Sequence, residues 1–305
     1  MISTFAQTFV AARRRSQVAR PGAVQRGFRA GSKGVQQESD GSGTQYPGHG
    51  SGRGRRGTMS ATMPSPRMLF ALVHVIGILC PPGAWAGPPF LTDDPEPVKF
   101  KHWEFYTAAE WTGARSSASG TLPHIEVNYG VLPNVQLHTI VPAVLAWTRR
   151  EGVAYGFGDI ELGVKLRFVD EGEWCPQIGI FPLVDLPTGS KRRGLGAGAL
   201  QSLLPLWLQK SFGPWTTYGG GGLKLAPDPN AIVLGWLVQR DLSKKFTLGL
   251  ETYITAPLNG DVVQVQMNLG TIINFSCLHH LLCSLGPSFG SDSAMQAYLA
   301  YQLTI

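Results

Sequence analysis

At 305 residues the chain is long enough for two domains, yet 38 glycines, 22 prolines and only 15% charged residues describe a turn-rich β protein rather than a helical enzyme. The formal net charge of +6 is confined to the N-terminal quarter. Residues 1–67 hold eleven Lys/Arg against Glu38 and Asp40, which leaves 15 basic and 18 acidic residues from Gly87 onward. A folded region that is acidic excludes a nucleic-acid surface as the purpose of the charge, so no nucleic acid is expected as a partner.

Residues 1–62 are rich in Ser, Gly, Gln and Arg and poor in apolar side chains, a composition that predicts a disordered basic extension. Met59, Met63 and Met68 each offer an alternative start. The Arg-rich stretch 1–20 also fits an organelle presequence, which leaves a second leader unexplained. That leader occupies 63–86: Arg67, the apolar run 69–80 (LFALVHVIGILC), and Ala84-Trp85-Ala86 form a secretory signal peptide with cleavage between Ala86 and Gly87. The run is too short to cross a bilayer as a helix, which needs roughly 20 residues. Cys80 follows Leu79 rather than a small residue, which argues against lipid attachment.

Residues 87–99 (GPPFLTDDPEPVK) are Pro-rich, with apolar Phe90 and Leu91, and are expected to be an extended segment or an inward-folding hatch. Asp93 and Asp94, followed by Pro95 and Pro97, read on their own as a solvated stretch. From 100 to 305 the dominant signal is alternation with a period of two, the period that puts successive side chains on opposite faces of a sheet. In 159–168, Ile160, Leu162, Val164, Leu166 and Phe168 share one face and Asp159, Glu161, Lys165 and Arg167 the other. The strands read from this pattern lie near 100–112, 121–131, 134–146, 157–169, 174–187, 198–211, 215–226, 230–240, 245–256, 262–275, 280–290 and 294–305. Such lengths suit tilted membrane strands better than globular ones. The fold expected is therefore all-β, an antiparallel up-and-down transmembrane β-barrel of about 12 strands. Segment 198–211, apolar on both faces, and 215–226, with Gly219 to Gly222, fit the pattern least well.

Short links at 132–134, 171–173, 213–214 and 242–244 alternate with longer ones at 114–120, 149–155 and 188–197, as periplasmic turns alternate with outer loops. Trp103, Trp174 and Trp215 fall near one set of strand ends and Trp111 and Trp147 near the other, an aromatic girdle at two interfaces. Ionisable residues in the strands are expensive on a lipid face, so Glu104, Glu110, Glu126, Asp159, Glu161, Lys165, Arg167, Asp185, Lys224, Arg240 and Glu251 are expected to line the lumen, with Tyr106 beside them. The apolar alternation Ala297, Leu299, Tyr301, Leu303, Ile305 runs to the terminal carboxylate.

The segments GPPFLTDDPEPV with HWEFY (87–106), EVNYGVLPNVQL (126–137), GFGDIELGVKLRF (156–168), DLPTGSK (185–191) and LHHLLCSLG (278–286) resemble a family of outer-membrane β-barrels described as the MetA-pathway phenol-degradation group. The resemblance covers almost all of 87–305. It implies an exported barrel and passage of small, often aromatic, compounds.

No catalytic constellation is legible, and no motif for a cofactor or for energy coupling. The Gly219–Gly222 run is not a phosphate loop, because no Gly-Lys-Ser/Thr follows. Cys277, His279, His280 and Cys283 have borderline spacing for zinc, and Cys277 and Cys283 are also placed for a local disulfide. The reading that follows is a bacterial outer-membrane barrel serving as a passive, porin-like channel for small apolar or aromatic solutes. Its partners would be outer-membrane lipid, the barrel-assembly machinery and those solutes. The alternatives are a structural or adhesive barrel with a sealed lumen, and a secreted soluble β protein. Because the export information lies in 67–86, expression from Met59 or Met63 is expected to give the same mature protein as expression from Met1. N-terminal sequencing of membrane material should find Gly87 first, and a product retaining residues 1–62 would contradict this.

Overall fold

A computed structural model describes residues 89–305 apart from Asp228 and Asp292. The expected extension 1–62, the leader 63–86, the Ala86–Gly87 cleavage site and Cys80 lie outside the described residues. The described chain folds as a closed antiparallel barrel of 12 strands, with one turn of 3-10 helix at Lys191–Arg193. We number the strands β1 (Trp103–Ala114), β2 (Ser117–Leu132), β3 (Val135–Thr148), β4 (Gly152–Phe157 continued by Ile160–Val169), β5 (Gln177–Ile180 continued by Leu183–Leu186), β6 (Gln201–Phe212), β7 (Trp215–Leu225), β8 (Ala231–Ser243), β9 (Phe246–Pro257), β10 (Gln264–Asn274), β11 (His279–Phe289) and β12 (Ala294–Thr304).

Each strand pairs with its neighbours in sequence, and β1 closes the ring on β12 from Glu104 opposite Thr304 to Ala114 opposite Ala294. β3 pairs with both pieces of β4, so the interruption at Gly158-Asp159 is a break within one strand. β5 is interrupted at Phe181-Pro182, where the proline has no N–H for the ladder. The carbonyl of Pro182 still accepts from Val164 N at 3.1 Å.

Alternation places apolar side chains on the outside. Leu162 and Val164 of β4, Leu234 and Trp236 of β8, and Leu299 and Tyr301 of β12 are exposed. Their neighbours Glu161, Lys165, Leu237, Gln239, Tyr298 and Gln302 are buried inside. A water-soluble sheet protein does the reverse.

Two links expected to be long outer loops are tight turns. β1 and β2 run to Ala114 and from Ser117, and β3 and β4 run to Thr148 and from Gly152, leaving only 115–116 and 149–151 between them. Turn-like composition there misled because Ser117 and Ser119 face the interior, where a polar residue is at home in a strand. The connection 187–200 is long. It is held down by Asp159, whose carboxylate accepts from Gly189 N at 2.8 Å and Ala197 N at 2.6 Å.

The two strands that fitted least well have structural reasons. In β6 the inward Leu203 and Trp207 pack against Leu91 of the N-terminal segment, while Leu204 and Leu206 face outward. In β7 the glycines admit large neighbours: a Cβ on Gly219 would lie 2.6 Å from the Trp236 ring, and one on Gly221 2.6 Å from Leu234. The missing side chains leave an external groove of about 540 Å³ floored by Gly219 and flanked by Leu208, Trp236 and Ile254.

The facing pattern sets a test. Leu162→Arg puts a cation on the apolar exterior and is expected to cost about 2–4 kcal/mol if that level is the bilayer midplane. Heat-modifiable gel migration should show loss of the folded form, while Glu161→Gln on the inner face keeps it. Equal behaviour of the two variants would reject the facing.

Candidate functional site

The interior of the barrel holds the site, and its centre is taken by the chain's own N-terminal segment. Pro89–Val98 runs inside the barrel, with Phe90, Leu91, Thr92, Asp93 and Val98 buried. Its seat is made by glycines whose absent side chains leave the room it needs. A Cβ on Gly249 would lie 2.8 Å from the Phe90 ring and one on Gly270 2.5 Å from it. A Cβ on Gly235 would lie 2.2 Å from Thr92 Oγ1, and one on Gly179 3.0 Å from Pro95. Leu91 enters a cluster of Phe181, Leu183, Leu203, Trp207, Val233 and Tyr253, and Phe90 packs with Tyr218 and Leu237.

Polar contacts fix the register of the segment. Lys165 Nζ lies 3.1 Å from Asp93 Oδ2 and 3.3 Å from Asp94 Oδ1, and donates to Glu96 O at 3.4 Å. Arg167 donates to Glu96 Oε2 at 2.6 Å, and Gln177 also donates to that carboxylate. Thr92 N donates to Glu251, and Val98 N to Gln136 Oε1 at 2.8 Å. Asp93 is thus not the solvated residue that its Pro-rich surroundings suggested. It is 2% exposed, because the cation it needs projects from β4.

Beside the segment, acids and histidines alternate across five strands. Glu110 Oε1 of β1 lies 3.3 Å from His124 Nδ1 of β2, and His124 Nε2 is 3.8 Å from Glu126. Glu126 accepts from Asn128 at 2.8 Å and lies 3.5 Å from His138 Nδ1 of β3. His138 Nε2 lies 3.1 Å from Glu161 Oε1 of β4, and Glu161 stands directly opposite Asp185 of β5. Lys224 of β7 faces the same interior and interacts electrostatically with Asp185 and Glu161. Imidazoles between carboxylates reduce the repulsion that a row of bare acids would suffer in a low-dielectric interior.

Of the residues expected in the lumen, Tyr106, Glu110, Glu126, Glu161, Lys165, Asp185, Lys224 and Glu251 are buried inside. Glu104 is half-buried and accepts from the Tyr106 hydroxyl at 2.9 Å. Arg167 is half-buried near the Asn134 turn, where it also pairs with Asp170 at 2.9 Å. Asp159 is only half-buried and serves the 187–200 connection rather than the lumen centre.

Arg240 does not line the lumen. It is exposed on the outer face of β8, with its guanidinium 5.0 Å from the centre of the Trp215 ring. β8 is apolar on both faces over most of its length, so alternation did not settle the phase. Near the strand end a long cation can lie over an indole instead of entering the barrel. His124 and His138 were missed, although both share the phase of Glu126, Asn128 and Gln136 and were legible on that ground.

The five tryptophans expected to form a girdle, Trp103, Trp111, Trp147, Trp174 and Trp215, are all exposed. Trp103 stacks on Tyr129 at 4.2 Å. Trp174 lies in the connection between β4 and β5. In that same connection partial burial would push the Glu171 carboxyl up, but hydrogen bonds from Ser211 and Lys210 outweigh it and hold the group below the usual carboxylate range. Cys175 and Cys283 are free thiols, so the Cys277–Cys283 disulfide is not formed. Among the described residues no group of three or more His, Cys, Asp or Glu side chains is arranged to hold a metal ion.

Neither a protein-family model nor a curated protein sequence matches the chain. The likeness to the phenol-degradation group therefore rests on its motifs alone. Among solved structures, an outer-membrane channel from Pseudomonas putida F1 superposes with a TM-score of 0.58 at 12% identity, covering 70% of this chain and 98% of that one. The KdgM porin gives a TM-score of 0.44 at 7% identity over 65% of this chain and 98% of its own. The translocator domain of the autotransporter NalP from Neisseria meningitidis gives 0.46 at 11% identity, covering 66% and 87%. At such identities the first likeness speaks to the fold, and the two lower scores add nothing to it.

The seat of Phe90 can be tested directly. A Phe90→Cys thiol in the folded barrel is expected to resist a water-soluble maleimide. The same thiol should react freely once Gly235→Val, which drives a side chain into Thr92, is added. Equal labelling of the two proteins by mass spectrometry would place the segment elsewhere.

Proposed function

We infer that the chain is a bacterial outer-membrane barrel, exported by a cleaved signal peptide, that gives small solutes of apolar or aromatic character a passive route across the membrane. The observation that carries this reading is the inverted side-chain distribution: exposed Leu, Val, Ile and aromatic residues encircle a closed barrel whose interior carries Glu, Asp, Lys, His, Asn and Gln. A closed barrel satisfies every strand's backbone without water, which is what a bilayer demands of a spanning sheet. The exposed tryptophans near both sets of strand ends suit two membrane interfaces. Outer-membrane lipid and the barrel-assembly machinery are the partners this location implies. The same exterior argues against a secreted soluble β protein, which would present that surface to water.

A sealed structural barrel is the second reading, and the burial of nearly every inward side chain together with Pro89–Val98 favours it. The two readings differ in what lies behind the segment. Twelve strands enclose more space than eight, whose lumen side chains alone can fill, and here part of that space is taken by a removable piece of chain. In planar bilayers the full protein is expected to conduct in rare, small steps, and a variant lacking residues 89–98 in larger and more frequent ones. A deletion variant that shows heat-modifiable folding yet does not conduct would establish the sealed barrel.

A further inference from the structure

We propose that the seat of the N-terminal segment is a binding site for small carboxylates with an apolar body, arylalkanoates above all, and that Asp93, Asp94 and Leu91 occupy it as an internal stand-in. The proposal deepens the channel reading by naming a solute class, and rests on it for transport but not for binding.

The chemistry of the seat is that of an amphipathic anion. Lys165 is 4% exposed, and the oxygens it contacts among the described residues, on Asp93, Asp94 and Glu96, all belong to the segment. A buried ammonium is stable only with a compensating anion, so a ligand that displaces the segment must bring one. The apolar half of the site adjoins this charge. Lys165 Nζ stands 5.1 Å from the centre of the Phe181 ring, and Phe181 is a wall of the pocket that takes Leu91.

The pocket is also rich in aromatic surface, from Phe181, Trp207 and Tyr253. Two further donors are held ready beside the segment: Trp207 Nε1 in the Leu91 cluster and the Tyr218 hydroxyl against Phe90 are buried and have no hydrogen-bond partner among the described residues. Neutral hydrocarbons would satisfy neither these donors nor the ammonium. Acetate would pair with Lys165 but leave the Leu91 pocket unfilled. An aromatic or branched apolar carboxylate, ionised at neutral pH, meets both demands. Its entry would put one carboxylate on Lys165 where Asp93 and Asp94 now stand, so that solute binding and withdrawal of the segment are the same event.

The test is isothermal titration of the full folded chain in detergent with 3-phenylpropanoate, its uncharged amide and acetate. The acid is expected to bind about tenfold more tightly than either control. Asp93→Asn/Asp94→Asn keeps Lys165 but removes the internal competitor, and should tighten the acid by about threefold or more. Lys165→Met should bring acid and amide within about twofold of one another, with folding verified by heat-modifiable migration. A purely structural ion pair would weaken or leave unchanged the acid in both variants. If Lys165→Met does not fold, Asp94→Asn alone decides, because it leaves the cation in place with Asp93 as its counter-ion. Equal binding of acid and amide by the native chain and by the double variant overturns the proposal. Bilayer recordings separate this from the channel reading: ion conduction with no preference for the acid leaves a channel without this site, whereas preferential binding without conduction leaves the site in a sealed barrel.

Discussion

Closure of the sheet is the constraint from which the rest follows. Eleven residue pairs join β1 to β12, from Glu104–Thr304 to Ala114–Ala294, so neither the first nor the last strand presents a free edge. An open sheet of this size would expose two rows of backbone donors and acceptors and would need covering layers. A ring needs none, and it converts the alternation of each strand into an inside and an outside. Once Leu162 of β4 faces out, Glu161 and Lys165 must face in, and the charges meet those of neighbouring strands. The apolar exterior and the ionic interior are thus two consequences of one geometric fact.

That interior cannot be filled by a row of like charges. The acids Glu110, Glu126 and Glu161 are separated by His124 and His138, with Asn128 bonded between Glu126 and His138. Further along β4 the demand is opposite, for Lys165 and Arg167 project where the barrel wall supplies them with few acids. The N-terminal segment supplies Asp93, Asp94 and Glu96 instead. Charge balance inside the barrel therefore depends on a piece of chain that is not part of the wall.

Shape complementarity follows the same division. Gly235, Gly249 and Gly270 are strand residues whose missing side chains cost sheet stability, since glycine in a strand has nothing to pack and more entropy to lose. They are tolerated because Thr92 and Phe90 fill the space. The segment is held by apolar contacts at one end and by ion pairs at the other. Loss of either partner of a buried pair such as Asp93–Lys165 is far more costly than loss of a surface pair. Among the described residues its covalent link to the wall is residues 99–102, which lead into β1.

The alternation at 159–168, 245–256 and 294–305 was enough by itself to determine strand type, approximate strand number and the phase of most charged residues. Period two is a local property of the extended backbone and needs no knowledge of the partner. Glu126, Glu161, Lys165 and Asp185 were legible as interior residues for that reason. His124 and His138 were legible too, had their phase been given the weight of their charged neighbours. The outward Arg240 was not, because both faces of β8 are apolar and only the packing of Trp215 and the position of the strand end choose between them. The seat of the N-terminal segment was legible least of all. Which glycines face one another, and which lysine awaits Asp93, depends on strands 70 to 180 positions away along the chain. Those strands become neighbours only when the ring closes, so the sequence offered an inward-folding hatch as one reading of 87–99 and the tertiary structure alone decided which glycines and which lysine seat it.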